Sequence, residues 1–134
     1  MGIPLRDRPE HIRHLCGLLG LGTPQGALAP VTGGFHHRVW RLDTDRGSFA
    51  IKQLAPDTDL ADPLVVAHYN GTEAAAETFA DLGIRAVHAI GIEGRYLQLI
   101  DAVAYLVYPW TQARAVEKDR ASRSQALEVA RLLA

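Results

Sequence analysis

The chain has 134 residues, 48% of them hydrophobic, and a formal net charge of −1, which is enough for one modest core and argues for a single domain. The sequence has no long basic run, so we expect neither a nucleic-acid partner nor a polybasic membrane anchor. No apolar run approaches the ~18 residues that a membrane-spanning helix needs. Cys16 is the only cysteine, which excludes an intrachain disulfide and favours a cytoplasmic location.

The first predicted element is a helix. Asp7 and Glu10 have the spacing of a capping box, and the helix is expected to end near Gly20. Its apolar positions at helical spacing are Ile12, Leu15, Cys16 and Leu19. His11 and His14 lie three residues apart and suggest a metal site, but because no third ligand is evident we favour two exposed histidines.

Residues 31–52 predict a three-stranded antiparallel meander. Its parts are an apolar run ending at Gly33-Gly34, an alternating segment over 38–42, a turn at 45–47 and a run ending at Lys52. The glycine pair allows the backbone to approach another molecule closely, and exposed amides suit an oxyanion. Taken alone, such a glycine pair usually belongs to an ordinary hairpin.

The third run of the meander has two different faces. A side-chain period of two puts Ala50 and Lys52 on one face and Phe49 and Ile51 on the other. A cation on a sheet face is costly without a partner. At about 4 Å in a partly shielded cleft, a lysine and one phosphate charge attract by roughly 4 kcal/mol before desolvation.

Gly33 to Leu42 and Phe49 to Lys52 resemble the nucleotide-binding lobe of the aminoglycoside phosphotransferase and choline kinase group, a branch of the protein-kinase-like fold. The resemblance implies that Lys52 contacts the phosphates of ATP. It assigns nucleotide binding to Gly33, Gly34, Phe35, His36, His37, Val39, Ala50, Lys52, Tyr108, Pro109, Trp110 and Thr111. His36 and His37 either bind phosphate or are turn residues, and we favour the turn slightly.

A second helix is predicted after the polar loop 55–63, whose three aspartates match no calcium-binding template and are interpreted as a solvated loop. Asp62-Pro63 has the pattern of an N-cap followed by a first helical residue. The helix is expected to end at Gly83. Asn70-Gly71 is a turn dipeptide and predicts either a kink or a break within it.

The resemblance implies that this second helix supplies a glutamate that pairs with Lys52. Glu73 and Glu77 lie one turn apart, and either could serve. By its distance from Gly83, Glu73 matches the family position better, so the resemblance implies that Lys52 and Glu73 are the candidate catalytic pair. The remaining glutamate is expected to be a solvated surface carboxylate.

Three apolar runs, over 87–90, 96–100 and 104–108, are predicted to extend the meander to five or six antiparallel strands. His88 is interpreted as a satisfied core or edge histidine. The resemblance implies that the last run leads into a hinge that receives adenine. Tyr108 would lie at the back of the pocket, Pro109 would offer a carbonyl and Thr111 an N–H group.

A last helix is predicted from a capping box at Ser122 and Gln125. Its apolar stripe would be exposed, which suggests a homodimer through this helix. The predicted fold class is therefore α+β: a kinase-like N-lobe with a five- to six-stranded antiparallel sheet, one main packed helix, and N- and C-terminal helices. Residues 1–110 would form the lobe, and 111–134 the hinge and the start of a C-terminal lobe.

The predicted function is an ATP-binding lobe whose parent enzyme transfers the γ-phosphate to a hydroxyl of a small-molecule acceptor. The resemblance implies that the catalytic and metal-binding groups, and with them Mg2+, belong to a C-terminal lobe beyond the hinge, and the residues after Thr111 contain no histidine or asparagine. We expect this chain alone to be inactive. The alternatives are a non-catalytic kinase-fold module for protein-protein association and a small α+β protein whose glycine turn binds another anion.

Overall fold

A computed structural model describes residues 3–31, 37–84 and 86–110. The described chain is α+β, with a five-stranded antiparallel sheet in the order β1-β2-β3-β5-β4. The strands are β1 Ala29–Val31, β2 Arg38–Thr44, β3 Gly47–Gln53, β4 Gln98–Ile100 and β5 Val103–Pro109. The helices are a 3-10 turn Leu5–Asp7, α1 Pro9–Leu19 and α2 Pro63–Asp81. The predicted meander and the five-stranded sheet are thus confirmed.

The central strand β3 contributes to a separate core on each face of the sheet. The α2-side cluster consists of Val39, Ala50, Leu54, Ala89, Tyr96, Leu97, Ala104, Leu106 and Tyr108. The α1-side cluster consists of Leu5, Leu15, Cys16, Leu21, Trp40, Leu42, Ile51, Ile100, Tyr105 and Val107. Ala50 and Ile51 fall in different clusters, as the period of two predicted.

Helix α1 ends as predicted but begins differently. Gly20 follows it in the left-handed conformation, with a φ of 64°, which glycine adopts without strain. The predicted capping box at Asp7 is wrong, because Asp7 closes the 3-10 turn and the N-cap residue Arg8 makes no side-chain cap bond. Pro9 at the first helical position has no N–H that needs a cap.

His11 is a buried residue, which contradicts its predicted exposure. Only 1% of it is accessible, its Nδ1 lies 2.7 Å from the Tyr105 hydroxyl, and its Nε2 lies 2.9 Å from Asp101 Oδ2. His14 is exposed as predicted. Within the described ranges, no group of three or more His, Cys, Asp or Glu residues could hold a metal.

Helix α2 begins as predicted and continues through Asn70-Gly71 without a break. The Asp62 side chain accepts the Leu64 N–H at 2.9 Å and caps the first turn. Gly83, with a φ of 83°, follows the helix end. The Asn70 side-chain oxygen accepts the N–H groups of Tyr96 and Leu97 at 2.8 and 2.9 Å, so the asparagine joins α2 to the segment before β4.

The predicted strand over 87–90 is wrong, and the strand predicted over 96–100 is shorter than expected. Residues 87–90 form no strand, because the Ala89 N–H donates to the side chain of Glu73, although Ile90 still donates to the Val107 carbonyl. Strand β4 begins only at Gln98, since the two amides before it are bound to Asn70. Side chains of α2 thus replace strand partners.

Several predictions fall outside the described residues. These include the C-terminal helix with its capping box at Ser122, the homodimer surface on that helix, and the division of the chain after residue 110. No helix in the described ranges is both long and apolar enough to cross a bilayer.

Candidate functional site

Lys52 is a buried cation in the middle of the sheet. It lies on β3 opposite Val39 of β2 and Leu106 of β5, and only 2% of it is accessible. Its Nζ lies 5.9 Å from the centroid of the Tyr69 ring. Burial lowers the pKa of Lys52 from 10.5 to about 8, while the nearby charge of Glu73 raises it. Lys52 is therefore still mostly protonated at neutral pH.

Glu73 projects from α2 into the same core and is 3% accessible. Its two carboxylate oxygens have separate donors: the Tyr108 hydroxyl donates to Oε1 and the Ala89 N–H to Oε2, each at 2.7 Å. Burial raises the pKa of Glu73, whereas both donors and the charge on Lys52 favour the ionised form. The surroundings thus offset part of the cost of a buried carboxylate, and burial remains the largest influence on its pKa.

The structure brings together the two residues predicted to act as a pair. Lys52 comes from β3 and Glu73 from α2, and each affects the pKa of the other. They are buried against the α2-side cluster, to which Tyr108 belongs. A buried cation with a carboxylate partner on one side of a sheet is a suitable centre for binding an anion.

Glu77, the other candidate partner for Lys52, has a structural role instead. It is half-buried and accepts a hydrogen bond from the Tyr96 hydroxyl. This bond is the main cause that raises the pKa of Tyr96 to about 12. The expectation of a solvated carboxylate at Glu77 is therefore wrong, because the segment before β4 packs over this turn of α2.

Val39 and Ala50, which the resemblance assigns to nucleotide binding, lie next to Lys52. Val39 pairs directly with Lys52, and Ala50 pairs with Tyr108, so their side chains lie on one face of three adjacent strands. Val39 is 4% accessible and Ala50 is 1% accessible. A planar base placed against them would have to displace the groups that now cover them.

Two of the predicted hinge residues lie at the end of β5. Pro109 pairs with Phe49 and is half-buried. Trp110 packs against the α2-side cluster, and the Arg41 guanidinium lies 4.7 Å from the centroid of its ring, which is a cation–π contact. The third hinge residue, Thr111, lies outside the described residues.

The predicted phosphate turn is mostly outside the described ranges, which exclude Gly33, Gly34, Phe35 and His36. His37 is described and buried, and its Nδ1 accepts the backbone N–H of Ala55 at 2.7 Å. This contact ties the start of β2 to the loop after β3 and supports the turn interpretation for His37. His88 is half-buried beside the Ala89 carbonyl, in keeping with an edge histidine.

Some groups in the site were not recognised from the sequence. The Ala89 N–H and the Tyr108 hydroxyl both bind Glu73, and Tyr69 lies beside Lys52. Tyr69 and Glu73 are four residues apart on α2 and therefore face the same side of it. That spacing was available in the sequence, whereas the amide of Ala89 has no sequence signature.

Comparisons of the chain with models of protein families, with curated proteins and with solved structures find no match.

Proposed function

We propose that this chain is the ATP-binding lobe of a phosphotransferase that transfers the γ-phosphate to a hydroxyl of a small molecule. The observation that carries the proposal is the buried pair of Lys52 and Glu73 on one face of the sheet. A lysine in this place supplies a positive charge for phosphate oxygens, and the carboxylate keeps that lysine protonated and in position.

The adenine would lie against Val39 and Ala50, with Tyr108 behind it. The Pro109 carbonyl would accept a hydrogen bond from the base, a role that needs no N–H from the proline. Because Val39, Ala50 and Lys52 are almost completely covered, binding would require the covering segments to move. An association step of this kind is slower than simple docking.

Phosphoryl transfer needs more than this pair. Magnesium bridges phosphate oxygens, and a further residue orients the attacking hydroxyl. In this proposal both functions belong to a second, C-terminal lobe. The nucleotide, the small-molecule acceptor and Mg2+ therefore meet at the boundary of the two lobes, and the residues described here supply binding and charge.

Calorimetric titration with ATP tests the proposal. Lys52→Met retains most of the side-chain volume and removes the charge. We expect ATP to bind the native chain and to bind this variant at least about tenfold more weakly. A tenfold loss corresponds to about 1.4 kcal/mol, which is less than the roughly 4 kcal/mol available to one such charge pair. Lys118→Met is a matched control, because Lys52 and Lys118 are the only lysines of the sequence. Equal affinities of the native chain and Lys52→Met would contradict the proposal.

The alternative is a kinase-fold module that associates with other proteins and binds no nucleotide. Circular dichroism shows whether the chain used in the titration is folded. If the folded chain has no measurable affinity for ATP, the result supports the alternative. The same titration of a longer chain that includes a C-terminal lobe completes the comparison. If that chain also fails to bind ATP, the nucleotide-binding role is wrong.

A further inference from the structure

The carboxylate of Glu73 is held at both oxygens before any ligand arrives. Oε1 accepts the Tyr108 hydroxyl and Oε2 accepts the Ala89 N–H. Tyr108 lies on β5, whereas Ala89 lies in the segment between α2 and β4. Two donors from different parts of the chain therefore fix the direction in which this side chain points.

The same turns of α2 are tied to the segment before β4. Asn70 accepts the N–H groups of Tyr96 and Leu97, and Glu77 accepts the Tyr96 hydroxyl. Asn70, Glu73 and Glu77 recur at spacings of three and four residues and therefore share one face of the helix. Asn70 and Glu77 bind the segment before β4, and Glu73 binds β5 and the segment between α2 and β4, so α2 is fastened along two turns.

We propose that Tyr108 is a positioning residue, which acts through Glu73 to hold the charge of Lys52 in place for an anion. Its hydroxyl is a buried side-chain donor to Glu73. Tyr108 is completely buried and pairs with Ala50, two residues before Lys52 on the neighbouring strand. The hydroxyl thus connects the back of the candidate pocket to the charged pair, and the role in anion binding rests on the proposed function.

Removing this hydroxyl should weaken the pair without removing either member. In Tyr108→Phe the carboxylate loses the hydroxyl donor but keeps the Ala89 N–H, so it turns more freely and is more easily protonated. Both changes reduce its attraction for Lys52. The pKa of Lys52 should then fall further below its ordinary value, by about 0.5 to 1 unit, a fraction of the 1–3 units that an adjacent opposite charge contributes.

The experiment is an NMR titration of the lysine side chains in the ligand-free chain. With lysine labelled at Cε, only two signals are expected, and Lys118→Arg assigns them. The matched control is Tyr105→Phe, which also removes a buried hydroxyl from β5 but on the α1-side face, where it contacts His11. We expect the Lys52 pKa to fall in Tyr108→Phe and to be unchanged in Tyr105→Phe.

Repeating the titration in the Glu73→Gln variant shows whether Tyr108 acts through Glu73. In Glu73→Gln the charge is absent, so adding Tyr108→Phe should leave the Lys52 pKa where Glu73→Gln alone puts it. An equal fall in both backgrounds, or no fall in the single variant, would overturn the inference. The titration needs no nucleotide, so a chain that fails to bind ATP defeats the proposed function while this result still decides the role of Tyr108.

Discussion

The imidazole of His11 and the phenol ring of Tyr105 meet edge to face, with Nδ1 of the histidine 2.7 Å from the hydroxyl. The contact joins α1 to β5 across 94 residues of sequence. The other ring nitrogen lies 2.9 Å from Asp101, which is in the turn between β4 and β5. One side chain of α1 therefore connects the helix both to strand β5 and to the turn that precedes this strand.

Replacing His11 should destabilise the fold strongly. His11→Ala leaves a cavity and deprives Tyr105 of its partner, so we expect the free energy of unfolding to fall by about 2–4 kcal/mol. His14→Ala is the control on the same helix, and because His14 is exposed it should change stability by no more than about 0.5 kcal/mol. Urea denaturation measures both. Similar losses in the two variants would show that the buried contacts contribute little.

Asn70 should be essential for the way α2 meets the segment before β4. Asn70→Ala leaves the N–H groups of Tyr96 and Leu97 without their acceptor, which should cost about 2 kcal/mol despite the better helix propensity of alanine. Asn70→Asp keeps an acceptor oxygen and should recover much of the loss. In hydrogen exchange, these two amides should lose protection in Asn70→Ala. Unchanged protection would contradict the prediction.

The buried ammonium of Lys52 makes stability depend on pH in the alkaline range. The folded pKa is about 8 and the ordinary value is 10.5, so between these values the unfolded chain retains a proton that the folded chain has released. Stability therefore rises with pH in this window. Relative to Lys52→Met, the native chain should gain up to about 3 kcal/mol between pH 8 and 10.5, since each pKa unit corresponds to about 1.4 kcal/mol.

Denaturation of both proteins at several pH values measures this difference. The four tyrosines, whose pKa values the fold raises above the ordinary value of 10, are common to the two chains, so their effects largely cancel in the comparison. Below pH 8, Lys52 is protonated in both the folded and the unfolded chain. It should therefore cause no pH-dependent change in the difference in unfolding free energy between the two proteins. If the difference in unfolding free energy between the two proteins stays constant up to pH 10.5, the fold does not lower the pKa of Lys52.

The two tryptophans should report nucleotide binding differently. Trp110 packs beside the α2-side cluster, whereas Trp40 belongs to the α1-side cluster and donates to Gln53. If ATP binds as proposed, Trp40→Phe, which retains Trp110, should show a change in fluorescence on ATP addition. Trp110→Phe, which retains Trp40, should show little change. The reverse pattern would place the ligand on the other face of the sheet.

The rate of this fluorescence change is a separate test of how the site opens. Lys52 and Ala50 are covered in the structure, so binding should require a rearrangement. Stopped-flow measurements should therefore give an association rate constant below about 10⁵ M⁻¹s⁻¹. Association at 10⁷ M⁻¹s⁻¹ would show that the nucleotide reaches its site without displacing the covering groups.

The sequence by itself determined the elements whose signals are local. The turn around Gly47, the alternation along β3 that separates Ala50 and Lys52 from Ile51, and the cap at Asp62-Pro63 all follow from the spacing of neighbouring residues. Such features depend on backbone preference and side-chain period, which short segments carry. The preference for Glu73 over Glu77 has a different origin, because it depends on the resemblance to a family position.

Tertiary structure alone decided which polar groups meet. Asn70-Gly71 indicated a kink or a break in isolation. The structure excludes the break, and the asparagine binds two amides from a distant segment. Residues 87–90 lack strand structure because one of their amides belongs to Glu73. His11 is buried because Tyr105 and Asp101 reach it from the far end of the chain. A buried polar group must find a partner wherever the fold offers one, and local sequence does not encode which distant group that is.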